Sequence, residues 1–141
     1  MLLNKDEILE LLPQRPPMVM IEGVLSADAH SCRSFFSVDS GHLFCENGRF
    51  EAAGLVENMA QTAAAHAGYL ARKEQKSPPA GYIAGIKNLQ IVTLPVVGEQ
   101  IETEISLQHQ VMNFRIIAAR VFCKEAEIAC CEMKILVNER E

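Results

Sequence analysis

Residues Gly54–Leu70 read GLVENMAQTAAAHAGYL, a run of small and apolar side chains interrupted by one carboxylate, Glu57. Alanine is the strongest helix former. Ala52, Ala53, Ala60, Ala63, Ala64, Ala65, Ala67 and Ala71 sustain a helical pattern that predicts one helix from about 52 to 73. Side chains this small let a second backbone layer come close, so the helix is expected to be enclosed by a sheet and to form the core. The Glu57 carboxylate either reaches solvent, accepts hydrogen bonds near the positive end of the helix, or belongs to a site, because buried acids are uncommon and enriched at sites. Gln61 lies one turn further along the same face, and the two make a polar stripe.

Working outward, Asn4 and Glu7 have the spacing of a capping box that opens a short helix running to about Leu12. Pro13, Pro16 and Pro17 end it. The apolar run Met18–Val24 and the β-favouring run Ser31–Val38 predict two strands. The loop from Asp39 to about Glu51 can then deliver side chains to the N-terminal end of the long helix. Beyond the helix, Lys73–Pro79 is a charged linker, and four β-like runs follow: Tyr82–Leu94, Gln100–Val111, Phe114–Cys123 and Glu127–Val137. Ile101, Thr103, Ile105 and Leu107 alternate with Glu102, Glu104 and Ser106, the pattern of an antiparallel sheet with one wet face. The expected class is α+β: one domain over 1–141, with a long central helix wrapped by a curved antiparallel sheet of about five to six strands.

Composition narrows the function. A chain of 141 residues removes roughly two-thirds of its unfolded surface from water and needs no covalent staple. Five cysteines form an odd set without a CxxC pair, and the N-terminus lacks the basic start and apolar run of a signal peptide, so a reduced, cytoplasmic protein is expected. Glu57, Asn58, Gln61 and His66 would be expensive in lipid, which argues against a membrane span. A net charge of −5 without a basic cluster argues against nonspecific nucleic-acid binding. No metal-ligand set is expected.

Two segments resemble one family. Leu12–Glu22, LPQRPPMVMIE, is similar to the N-terminal LPHRxPxLLVD signature of the hot-dog-fold 3-hydroxyacyl-acyl-carrier-protein dehydratases, and Leu55–Gln61, LVENMAQ, resembles their VEAMAQ helix motif. Ala84-Gly85-Ile86-Lys87, Pro95 and Gly98 are similar to a third segment. The resemblance implies a hot-dog fold in which Glu57 and His42 are the catalytic pair, acting across a dimer interface. His42 follows Gly41 as in the family's GHFP motif, but Leu43 and Phe44 replace Phe-Pro and the interval to the glutamate is one residue longer. The family's Pro-Gly at the helix start is replaced by Glu51 and Ala52, with Gly54 displaced. The first-turn amides of Ala52, Ala53 and Gly54 would then meet the thioester oxygen, and Gln61 would bond Glu57 or substrate.

The implied reaction is loss of water from a 3-hydroxyacyl thioester in fatty acid or related acyl synthesis, with His42 as base and Glu57 as acid. No metal or organic cofactor is implied beyond the phosphopantetheine arm of acyl carrier protein, the expected partner, for which Lys87 and Arg115 are candidate contacts. A homodimer or higher oligomer is expected, or a heterodimer with a homologous subunit. The alternatives are a non-catalytic acyl-binding or heterodimer-partner subunit, and a hot-dog thioesterase using Glu57 alone. Cys45 is a candidate nucleophile only if its thiolate is stabilised. Met59, Tyr69, Phe114 and Ile116 are the candidate residues closing an acyl tunnel, and Arg15 is read as structural.

Overall fold

Asn4 caps helix α1 (Lys5–Leu11): its side chain accepts the Glu7 amide at 3.0 Å, and the Glu7 carboxylate accepts the Asn4 amide at 3.2 Å. The capping box expected from the spacing is therefore formed. Arg15 then closes the exit of the helix, its Nη1 donating to the carbonyls of Leu9, Leu12 and Gln14. This computed structural model describes residues 1–138, so the end of the expected domain, 139–141, lies outside the described residues.

The sheet is built from β1 (Gly23–Ala27), β2 (Ser31–Ser37), β5 (Ala80–Ile91), β6 (Gln100–Val111), β7 (Phe114–Cys123) and β8 (Ala126–Asn138). Their order is β1-β2-β6-β7-β8-β5, with every neighbouring pair antiparallel. A hairpin of β3 (Cys45–Glu46) and β4 (Arg49–Phe50) interrupts the loop before α2 (Ala52–Lys73). Helix α2 lies against the inner face of the sheet, where Leu55, Met59, Ile101, Ile105 and Val121 are fully buried. On the outer face Arg33 bridges Glu102 and Glu104 at 2.8 and 3.0 Å. The six strands and enclosed helix form the hot-dog arrangement that the resemblance implied.

Close approach of α1 to α2 depends on Gly68, because a Cβ there would lie 2.9 Å from the Leu11 Cβ. Lys124 and Glu125 link β7 to β8 with positive φ at both positions, the geometry of a type I′ turn. Neither residue is a usual choice there, which is why this hairpin left only a weak sequence signal.

One expected strand is displaced toward the C-terminus. Met18–Val24 reads as β from its apolar continuity, yet β1 begins only at Gly23. The reason is that side chains of α2 supply the missing ladder. The Gln61 Oε1 accepts the Met20 N–H at 2.6 Å, and its Nε2 donates to the Met18 carbonyl at 2.7 Å. Asn58 Nδ2 donates to the Met20 carbonyl at 2.7 Å. Asn58 is itself held by the Thr103 hydroxyl at 2.5 Å, and its backbone carbonyl accepts from Thr62, whose hydroxyl meets Ser34 at 2.7 Å. All these polar groups are buried and paired, as buried polar groups must be.

The C-terminal half of α2 is anchored by His66, whose Nε2–H donates to the Asp28 carbonyl at 2.7 Å. Burial pushes this imidazole below its ordinary value. The nearby Arg115 charge acts in the same sense, and the bond to Asp28 opposes it.

Replacing Asn58 by the similarly sized leucine strands the Met20 carbonyl and the Thr103 hydroxyl, and urea denaturation should show a loss of about 2–4 kcal/mol. For His66 the unfolded chain takes up the proton first, so its contribution is intact above about pH 6.5 and is lost as pH falls toward the lowered folded value. Below about pH 6.5, stability should fall by up to about 1.4 kcal/mol per pH unit from this group, and His66→Gln should flatten the slope.

Candidate active site

Glu57 projects from the second turn of α2 and is half-buried. Gln61 is fully buried and donates Nε2–H to Glu57 Oε1 at 3.0 Å, through the same nitrogen that bonds Met18. The carboxylate is therefore held through Gln61 on the segment that crosses the helix. This is the polar stripe expected from the sequence, with Gln61 serving the backbone as well as Glu57.

Glu57 lines a cavity of about 350 Å³ between α2 and the sheet. The helix wall is Ala60, Ala63, Ala64 and Ala67, and the sheet wall includes Ile105, Leu107, Ile117, Ile135 and Val137. Small residues on the helix thus leave room instead of bringing the sheet into contact along this face. None of the expected tunnel-closing residues lines this cavity. Met59 is packed in the core, and Ile116 sits one position out of phase with the inward-facing Ile117, Ala119 and Val121. Phe114 holds the Lys134 ammonium over its ring, and Tyr69 that of Lys73.

The third wall is Pro79–Ile83, the start of β5. Among the described residues strand β5 is an edge with β8 as its one sheet neighbour, and Tyr82, Ile83, Ile86 and Leu89 are 59, 40, 39 and 42 % exposed. Sequence reasoning missed three polar residues on the cavity wall, Gln14, His66 and Arg115. Gln14 lies in the proline-bounded turn after α1, and His66, nine residues beyond Glu57, is placed by helical spacing near the opposite face of α2, yet both line the cavity that Glu57 lines. Of the two candidate partner contacts, Arg115 lines the cavity and Lys87 lies exposed on β5.

His42 is not beside Glu57 in this chain. It lines a separate groove of about 720 Å³ together with Pro16, Pro17, Phe36 and Asp39. Its ring packs edge-on against Phe36 and Phe50, with centroids 5.2 and 5.7 Å away, and lies over Phe44. Nε2 is 3.5 Å from the Val19 carbonyl oxygen, and Nδ1 accepts the Phe44 amide at 3.3 Å. Both contacts are long, so ring packing fixes the imidazole more than hydrogen bonding does.

Ala52 and Ala53 are exposed in the first turn of α2, where amides lack intrahelical partners and no side chain caps them. Gly54 is buried: a Cβ there would lie 2.6 Å from the Phe50 ring, so the glycine lets β4 and the Phe44 loop close over the helix start. Cys45 is half-buried, and burial raises its thiol, helped by Asp39 and Glu51, which disfavours the thiolate a nucleophile requires. All five cysteines are free thiols. Among the described residues no helix is long and apolar enough to cross a membrane.

Comparison with known proteins agrees with this architecture. The chain superposes on the dehydratase heterocomplex ApeI:P from Xenorhabdus doucetiae with a TM-score of 0.88 at 16% identity, covering 94% of this chain and 91% of that one. It is also similar to a hypothetical thioesterase solved with coenzyme A from Streptococcus pneumoniae, with a TM-score of 0.67 at 9% identity and coverage of 84% and 87%. The PaaI protein of E. coli gives a TM-score of 0.66 at 10% identity, covering 80% of each chain. At these identities the likeness is one of fold. No curated protein sequence matches the chain. The profile of the ApeP-like family, described as ApeP dehydratase, matches residues 6–140, and the chain therefore belongs to the ApeP-like family of dehydratases.

Proposed function

We propose that this protein removes water from a 3-hydroxyacyl thioester carried on the phosphopantetheine arm of acyl carrier protein, in fatty acid or related acyl synthesis in the cytoplasm. The observation that carries this reading is Glu57, fixed by a buried Gln61 at the wall of an apolar cavity long enough to take an acyl chain. The span from Glu57 to Ala67 along α2 is about 15 Å at about 1.5 Å per residue.

In this reading the site is completed by a second protomer. Glu57 and His42 line different cavities of one chain, and the Glu57 cavity has an exposed apolar edge strand as one wall. Long uncovered edges of this kind favour pairing with another chain. A second copy docked on β5 would close the cavity and bring its own loop toward Glu57.

His42 of one protomer takes the α-proton, the C–H electron pair becomes the new double bond, and the C3–O bond breaks. The hydroxyl leaves as water with a proton from Glu57 of the other protomer, and proton return from His42 to Glu57 through solvent resets the site. Amides of the first turn of α2, at Ala52, Ala53 and Gly54, are available for the charge building on the thioester oxygen. His42 must first release one of its two long contacts to act as base.

A second reading is favoured by the separation of His42 from Glu57 and by the heterocomplex to which the chain is similar. In it, the partner on β5 is a homologous subunit that supplies the histidine. Both readings share the Glu57 cavity and differ in whether the chain is active alone.

Hydration of a 2-enoyl thioester by the purified protein measures this directly. Glu57→Gln keeps the bond to Gln61 in place and should lower kcat by about 10² to 10⁴, and His42→Ala should do the same. Parental rates in both variants would end the assignment. An inactive parent that gains activity when a homologous hot-dog subunit is added would select the second reading, and release of free thiol without water chemistry would select a thioesterase. Charge placed on the edge, by Ile86→Lys, should convert the oligomer to monomer on size-exclusion chromatography and abolish turnover together with it.

A further inference from the structure

Two glutamines stand near Glu57, one bonded to its carboxylate and one on the wall of its cavity, and they are bonded very differently. Gln61 uses both ends of its carboxamide, accepting from Met20 and donating to Met18 and Glu57. Gln14 lines the same cavity, but its Oε1 is buried and has no hydrogen-bond partner among the described residues. Its backbone is nonetheless fixed, since Arg15 holds the Gln14 carbonyl at 2.9 Å while also bonding Leu9 and Leu12. A rigid backbone therefore presents an unanchored acceptor beside a cavity whose other lining is mostly apolar. Buried polar atoms left unpaired cost stability, and one retained at a site wall calls for a donor that arrives with the ligand.

Resting on the reaction assigned above, we propose that Gln14 is a specificity-determining residue that recognises the 3-hydroxyl of the substrate by accepting its hydrogen. The terminal torsion of a glutamine is soft, so the carboxamide can turn its oxygen to an incoming O–H at little cost. This assignment also explains a requirement of the chemistry. For Glu57 to protonate the departing oxygen, a lone pair of that oxygen must face the carboxyl group, and the hydroxyl hydrogen must point elsewhere. Gln14 gives that hydrogen a place to go. The 2-enoyl product has no donor at C3, so the contact is lost when water leaves and discriminates substrate from product.

The test measures binding of two pantetheine thioesters of equal chain length, one 3-hydroxyacyl and one saturated, to full-length protein carrying Glu57→Gln to block turnover. Adding Gln14→Leu should weaken the 3-hydroxyacyl ligand by about 10-fold, the loss expected for one hydrogen bond, and leave the saturated ligand within about twofold. In the otherwise wild-type protein the same substitution should raise KM for the 3-hydroxyacyl substrate more than for the 2-enoyl one. Thermal stability should hold or rise, because an unpaired buried oxygen is removed. Should the leucine variant fail to fold, unbranched Gln14→Met gives the same comparison. Equal weakening of both ligands, or of neither, would overturn the proposal. If the protein without Gln14→Leu binds neither thioester, the assigned reaction itself fails and this inference falls with it, an outcome distinct from loss of discrimination alone.

Discussion

Two amide side chains of one helix, Gln61 and Asn58, take the place of a β-strand partner for Met18–Met20, and the rest of the site depends on that substitution. Pairing backbone to side chain lets an extended segment lie across the helix without entering the sheet. The Met18 and Met20 polar groups face the helix, and the Val19 carbonyl faces the His42 ring on the other side. One short piece of chain thus touches both the His42 ring and the Gln61 amide that holds Glu57. Because Asn58, Gln61, Thr103 and Met20 are buried, a substitution among them costs the desolvation of whatever it strands, and the geometry is held tightly.

Much of this was readable in the sequence. The alanine-rich pattern gives α2 its observed limits, 52–73, and the β-like runs Gln100–Val111 and Phe114–Cys123 give two strands with their observed bounds. The stripe of Glu57 and Gln61 follows from helical spacing alone. What could not be read is the environment of each residue. An apolar run such as Met18–Val24 has the same composition whether its backbone meets a strand or two amides, and nothing local to the run announces partners about forty residues away. The cavity lining illustrates the same limit. Alternation marks Ile117 as inward and Ile116 as outward once the phase of the strand is known, but a mostly apolar stretch hides that phase. Gln14 carries no periodic signal, since its significance lies in a bond that it does not make.

The alanines of α2 serve two purposes that pull against each other. Small side chains allow tight packing where the sheet approaches, as at buried Ala65, and they leave a void where it stands off, at Ala60, Ala63, Ala64 and Ala67. A void lined by apolar groups is destabilising in an isolated domain, because the atoms on its walls lose contacts. Its persistence next to a fixed carboxylate is what a binding channel would require. The exposed apolar residues of β5 have the same character: a liability in a lone chain and a complementary surface once another protomer is present. Both features, together with an acid and an imidazole that line different cavities, are what the proposed two-protomer site would account for.

The central claim is that these two groups meet across a subunit boundary. The most direct measurement is to mix equal amounts of the Glu57→Gln and His42→Ala chains, allow exchange between subunits, and assay enoyl thioester hydration. In a two-fold dimer half of the molecules become mixed and each of those regains one intact site of two, so the account predicts recovery of about one quarter of the parental rate. A mixture that stays as inactive as either variant, with exchange demonstrated by mass spectrometry, would contradict it.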